Sequence, residues 1–173
     1  MDLIFPEEPY QKKTILLYTE ILGKEKISVK IKNFILKENT EENNSNVSGE
    51  LYVGLEKIKF DATGRGPVDA LYGVLVQNLG DIYLCFKDVR FEDFSMKAHF
   101  KERKYGRCAS APVEITLVLV ASRKKRLYFR AKSTSLMKAI INATCQAAEF
   151  LINCELAVVL LHGQINYVKK HKS

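Results

Sequence analysis

The sequence predicts an α+β fold of two βββα units, with helices packed on antiparallel sheets. Three observations lead there. Six runs alternate apolar with polar residues, the mark of half-buried strands. Two other runs repeat their apolar residues at helical spacing. The order strand, strand, strand, helix then occurs twice along 173 residues.

In the first unit, Ile27, Val29 and Ile31 alternate with Ser28, Lys30 and Lys32, and the strand can run on through Phe34 to Leu36. Glu38 to Ser48 is polar and rich in Asn and Glu, so it reads as an exposed loop. Leu51, Val53 and Leu55 mark a second strand. The third sets Ile58, Phe60 and Ala62 against Lys57, Lys59 and Asp61. A helix follows from Pro67 to about Leu79, carried by Val68, Leu71, Tyr72, Leu75, Val76 and Leu79 and stopped by Gly80.

In the second unit, Val89, Phe91, Phe94, Met96, Ala98 and Phe100 form a long strand. Its alternation slips near Asp93, which predicts a bulge. A second polar loop follows. Val113, Ile115, Leu117 and Leu119 make the next strand, and Leu127, Phe129 and Ala131 the last. Ser133-Thr134-Ser135 offers an N-cap. The helix after it confines Lys138, Asn142, Cys145, Gln146, Glu149 and Asn153 to one stripe, so it must bury most of its girth. The units span about 27–80 and 88–153. Residues 1–26 form an N-terminal extension. Residues 154–173 form a tail that completes the core as a strand or a helix.

Composition narrows the function classes. The chain is 47% hydrophobic and 27% charged, ordinary for one soluble domain. Met1 to Lys13 is acidic and lacks the basic-then-apolar order of a secretory signal. The longest uninterrupted apolar run, Leu156 to Leu161, is too short to span a bilayer. Cys85, Cys108, Cys145 and Cys154 form no Cys-x-x-Cys pair, which points to reduced thiols in a cytoplasmic protein. His99, His162 and His171 have no metal-ligand spacing, and no nucleophile–base pair is identifiable. No catalytic residue, metal or cofactor is therefore assigned. The net charge of +7 gathers at Lys101–Arg107, Arg123–Arg126 and Lys169–Lys172. These read as a loop, a hairpin turn and a tail. No RNA-binding aromatic signature accompanies them.

The most informative segment is Gly64-Arg65-Gly66-Pro67-Val68-Asp69-Ala70, a turn from strand to helix. Pro67 suits the first helical turn, where no N–H is needed. The helix start presents unpaired N–H groups and a positive dipole end, suited to a small carboxylate or phosphate. No Lys-Ser or Lys-Thr follows the second glycine, so this is not a nucleotide-hydrolase loop. Nor does it carry the third glycine of a dinucleotide site. A tight connection without a ligand is the alternative.

Extended to Leu71, this string resembles the Gly-x-Gly-Pro-Val-Asp-Ala signature of the C-terminal regulatory domain of 2-isopropylmalate synthase, which citramalate synthase also carries. Val89-Arg90-Phe91-Glu92-Asp93-Phe94 resembles that family's Val-x-Leu-x-Asp-Tyr strand. Ser133-Thr134-Ser135-Leu136-Met137-Lys138-Ala139 resembles its Ser-Thr-Asp-Ile-x-x-Ala helix start. Three departures stand out. Ala131-Lys132 replaces the usual glycine before Ser-Thr, Ser135 replaces aspartate, and Arg65 sits where Asn or Asp is frequent.

The resemblance covers about residues 27–153. It implies two βββα units in a pseudo-twofold arrangement, a homodimer, and binding of leucine or another branched-chain amino acid as a feedback effector of branched-chain amino acid biosynthesis. Family enzymes carry catalysis on a barrel of about 250 residues, which residues 1–26 cannot supply. A free-standing regulatory module, or an excised or truncated domain, is therefore expected rather than an enzyme, with a separate synthase subunit as a further candidate partner. The implied effector site takes Gly64, Arg65, Gly66, Pro67, Val68, Asp69 and Ala70 from the turn, Val89, Phe91 and Phe94 from the strand, and Thr134 and Ser135 from the second helix start. Asp69 can accept an ammonium or can steady the helix dipole. Arg65 can reach an anion or remain solvated. Val89, Phe91 and Phe94 can line a pocket or fill the core. Two other functions stay open: a structural or interaction protein that kept this fold without its ligand, and a basic nucleic-acid binder.

Overall fold

The computed structural model describes residues 9–99, 111–121 and 124–171. Phe100, the Lys101–Arg107 cluster and Cys108 lie outside them. The elements run α1 (Pro9–Leu22), β1 (Val29–Asn39), β2 (Asn44–Val53), β3 (Glu56–Gly64), α2 (Pro67–Leu79), α3 (Cys85–Asp88), β4 (Arg90–Ala98), β5 (Val113–Val120), β6 (Arg126–Ser133) and α4 (Leu136–His171). They build two antiparallel three-stranded sheets, β1-β2-β3 and β4-β5-β6. Helix α2 packs on β3 and β2, while α4 packs on β6 and β5 and reaches across to β1. This is the α+β fold of two βββα units.

The strands obey the alternation that predicts them. Val47, Leu51 and Val53 on β2 point to the core, as do Ile115, Leu117 and Leu119 on β5. Phe60 and Ala62 on β3 correspond to Phe129 and Ala131 on β6, at the same distance before their helices. All four are buried. The bulge expected near Asp93 is present, since the β4–β5 register shifts between Phe91 and Asp93. A matching irregularity interrupts β1 between Lys32 and Ile35, where Asn33 has a positive φ of 51°.

Two strand boundaries differ from the sequence reading. The expected loop Glu38–Ser48 is a hairpin: Asn44 to Ser48 pair with β1 on one side, and Ser45 to Ser48 with β3 on the other. Only Thr40 to Asn43 turn, and Asn39 Oδ1 accepts the Glu41 and Glu42 N–H groups at 3.1 and 3.2 Å. The polar composition misleads because Asn44, Asn46 and Ser48 lie on the outer face, and Ser45 is a polar residue buried among its neighbours. Leu55, expected in the second strand, sits fully exposed in the tight turn beside Gly54.

The helices also differ. Residues 9–22 form α1, an element the periodicity does not reveal. It docks on the open edge of β6 through Gln11, which is fully buried. The Gln11 amide donates to the Tyr128 carbonyl at 3.0 Å and accepts the Tyr128 N–H at 3.1 Å, so one side chain replaces a neighbouring strand. Tyr18 packs edge-on against Phe150 of α4 at 6.1 Å.

Helix α4 runs 36 residues, straight through the point near Asn153 where the sequence pattern ends. By length and composition alone, Leu136–Gly163 could cross a bilayer, with mean hydropathy 1.5, yet half of that stretch is buried within the protein. The expectation from the short run Leu156–Leu161 overlooked this because isolated polar residues interrupt the apolar segment. Those polar residues have protein partners. Glu149 accepts the Val29 N–H at 2.7 Å. Asn153 accepts from the Ile27 N–H and donates to the Ile27 carbonyl, both at 2.8 Å. The stripe that looks solvent-facing in sequence is what holds the start of β1.

Two outcomes follow from these polar contacts. Gln11→Ala leaves both Tyr128 backbone groups unpaired and should cost about 2 kcal/mol, read as a lower thermal midpoint. Burial holds the Glu149 carboxyl above its ordinary value of 4.5. The folded state therefore binds this proton more readily than the unfolded one. Its stabilising contribution is present at low pH and is lost as pH rises through the folded pKa. Glu149→Gln keeps an acceptor for Val29 without the charge. Its stability relative to wild type should rise between about pH 4 and pH 7. A pH-independent gap in chemical denaturation would contradict this.

Candidate functional site

Strand β3 ends at Gly64, which pairs with Ser45. The chain then turns under the start of α2. A Cβ added at Gly64 would lie 2.5 Å from the Ala70 nitrogen, 2.8 Å from its Cα and 2.8 Å from Asp69 Oδ2. Glycine is required there because helix and strand touch backbone to backbone. Gly66 is different. Its φ of 179° and ψ of 168° are extended, and an added Cβ would meet nothing within 4 Å. This is backbone that any residue can adopt. Folding does not demand a glycine at this position, and its absent side chain leaves open space beside the helix start.

The rest of the turn is ordered by the chain itself. Pro67 occupies the first helical position, and the Ala70 N–H donates to the Gly66 carbonyl at 2.9 Å. Asp69 Oδ2 accepts the Arg65 N–H at 3.0 Å. One oxygen of Asp69 thus closes the turn, a role beside the two that the sequence suggests. Arg65 is exposed, Val68 is half-buried against the core, and Ala70 is buried.

Val89 and Phe91 meet α2 one turn further on. The Tyr72 hydroxyl donates to the Val89 carbonyl at 2.8 Å, and the Tyr72 and Phe91 rings lie 6.0 Å apart. Val89 is buried, Phe91 is 37% exposed and Phe94 is half-buried against the core. Tyr72 is the residue that sequence reasoning kept as helix packing and left out of the site. The signal was there: a hydroxyl-bearing ring one turn past Val68 on an otherwise aliphatic stripe.

Thr134 and Ser135 belong to the matching turn of the second unit. There Ser135 caps α4, its Oγ accepting the Lys138 N–H at 3.3 Å, while Ser133 Oγ accepts the Ser135 N–H at 3.2 Å. Both turns make the same backbone bond, with the Ala139 N–H donating to the Ser135 carbonyl at 3.0 Å. The second turn caps its helix with its own hydroxyl. At α2 no side chain performs that N-capping, and Gly66 stands open.

Among the described residues no group of three His, Cys, Asp or Glu could hold a metal. Cys85, Cys145 and Cys154 are free thiols, and burial pushes Cys145 and Cys154 up to about 12, where they stay protonated and unreactive.

The family model of the LeuA allosteric (dimerisation) domain matches residues 10–153. The chain belongs to this family. The match takes in α1 as well as both βββα units, in keeping with the way Gln11 and Tyr18 join that helix to β6 and α4. The matched function is that of a regulatory and dimerising domain, and the matched region includes no catalytic domain. Comparison with curated proteins finds no match.

The two glycines should respond oppositely to one methyl group. Gly64→Ala forces backbone apart and should cost about 1–3 kcal/mol. Gly66→Ala should be neutral or stabilising by up to about 1 kcal/mol. Urea denaturation of the two variants measures the contrast, and equal effects would refute it.

Proposed function

We propose that this LeuA-family domain is an amino-acid sensor that binds leucine, or another branched-chain amino acid, at the Gly64–Ala70 turn, and that it acts as a homodimer. The observation that carries the reading is the open Gly66 at the start of α2, beside apolar side chains. The effector carboxylate would take the first-turn N–H groups of Val68 and Asp69, where the helix dipole favours negative charge. Asp69 spends one carboxylate oxygen on Arg65 and would offer the other to the ammonium. An isobutyl group would lie toward Val68, Tyr72 and Phe91. Binding would favour one arrangement of the dimer and so alter a synthase that carries or contacts it. A cytoplasmic setting fits the free thiols Cys85, Cys145 and Cys154.

A second reading is a dimerising scaffold without an effector. The self-capped turn at Ser133–Ser135 favours it for the second unit, as does the use of Asp69 to close the first turn. Nucleic-acid binding draws less support. In the β5–β6 turn, Lys125 lies over the Tyr10 ring at 5.0 Å and Arg126 pairs with Glu92 at 2.6 Å, so these cations are already engaged.

Calorimetry separates the readings. Leucine should give saturable heat with wild type. Gly66→Val keeps an extended backbone but fills the approach, so affinity should fall at least tenfold, about 1.4 kcal/mol, with the fold intact. No heat from leucine, isoleucine or valine at millimolar concentration would leave the scaffold reading.

A further inference from the structure

The inner face of the first sheet carries Val47, Leu51, Val53, Phe60 and Ala62 into the core, so the alternate positions form an outer face turned away from the helices. Strand register sets those outer residues in rows. Lys30 lies beside Tyr52, and Tyr52 beside Lys57. Lys32, Glu50 and Lys59 make the next row. Ile35, Ser48 and Asp61 follow, then Lys37, Asn46 and Thr63. The five lysines are all exposed, and they outnumber the two acids to leave a surplus of three positive charges on one face.

Both acids are occupied within the face. Glu50 pairs with Lys57 at 2.5 Å and accepts from the Asn33 amide at 2.9 Å and the Tyr52 hydroxyl at 3.0 Å. Asp61 accepts from the Asn46 amide at 2.7 Å. Lys32 lies over the Tyr52 ring at 4.7 Å. Lys37 and Lys59 make no ion pair or hydrogen bond among the described residues, and Lys30 acts on Glu149 only through its field. The outer face of the second sheet is built differently. Val118 and Val120 run through its middle, Glu114 stands between Lys97 and Lys132, and Glu92 pairs with Arg126 at 2.6 Å.

We propose that this lysine face of the first sheet binds the sugar–phosphate backbone of a nucleic acid, without regard to base sequence. The inference is independent of the effector and dimer readings above. Three features select phosphate over an acidic protein. Every cation on the face is a lysine, which meets phosphate as a point charge, whereas the planar fork of arginine suits carboxylates. Protein–protein interfaces are enriched in arginine and large apolar residues and depleted in lysine and serine, the reverse of this surface. Ser48 and Thr63 add hydroxyls of the kind that bind phosphate oxygens. Base stacking needs an open aromatic ring, and Tyr52 is half-buried under Lys32. Recognition therefore rests on the backbone alone. Unlike the cations of the β5–β6 turn, Lys37 and Lys59 have no protein partner among the described residues to give up first.

Fluorescence anisotropy on the full chain tests this, with a labelled duplex DNA and a labelled single-stranded RNA of mixed sequence. One variant combines Lys30→Gln, Lys37→Gln and Lys59→Gln. The control removes the same charge from exposed positions at α1 and just beyond it, with Lys12→Gln, Lys13→Gln and Lys24→Gln. At about 50 mM salt the sheet variant should bind at least tenfold more weakly than wild type, and its log–log salt slope should be shallower by about 2 to 3. The control should match wild type. Equal weakening in both variants would assign the binding to net charge and overturn the inference, as would a wild type that binds neither probe. A polyglutamate peptide that binds as tightly as the nucleic acids would make the partner an acidic protein, and the phosphate assignment would fall. If the sheet variant does not fold, an amine-reactive label on wild type decides. Nucleic acid should shield Lys37 and Lys59 more than Lys12 and Lys13, and equal labelling with and without it would sink the assignment.

Discussion

One helix holds both sheets, and the fold depends on how it does so. The apolar side of α4 covers β5 and β6, as any amphipathic helix would. Its polar stripe then grips the other sheet: Glu149 and Asn153 bind the backbone of Ile27 and Val29 at the start of β1. An unpaired backbone group at a buried strand edge is costly, on the order of 1–3 kcal/mol, so these bonds fix where β1 begins. Asn153 is 1% exposed, a degree of burial an amide tolerates only because its partners are in place. Gln11 repeats the device on β6. Both contacts join residues more than a hundred positions apart.

The asymmetry extends to the starts of the two helices. The two strand-to-helix turns share a backbone path and the bond that starts each helix, yet they cap their helices differently. Ser135 supplies a hydroxyl to α4, whereas Gly66 has no side chain to offer α2. At α2 no side chain caps the first-turn N–H groups, whereas at α4 a serine hydroxyl accepts one of them.

Much of this was legible in the chain. The six strands, the bulge at Asp93, the bounds of α2 and the cap at Ser135 follow from local patterns: alternation, helical spacing and the placement of Gly, Pro and Ser. The turn at Gly64 was legible too, because close backbone approach admits few residue types. Other features misled. Asn44 to Ser48 look like a loop because a strand with one solvated face needs few apolar residues. Helix α1 was hidden because Leu16 and Leu17 stay exposed while Gln11 is buried, which inverts the pattern that helix reading relies on.

The sequence by itself determined the two βββα units and the segment that carries the candidate site, since both rest on interactions within a few residues. Tertiary structure alone decided the roles of particular side chains. Gly64 is required by contact with Ala70 and Gly66 is not, although they sit two residues apart in one motif. Asp69 closes a turn, Tyr72 joins α2 to Val89, and the polar stripe of α4 serves a strand of the other unit. Each of these depends on what lies opposite in space. A hydrogen bond or a steric limit acts over about 3 Å, and linear spacing does not say which distant residue will stand there.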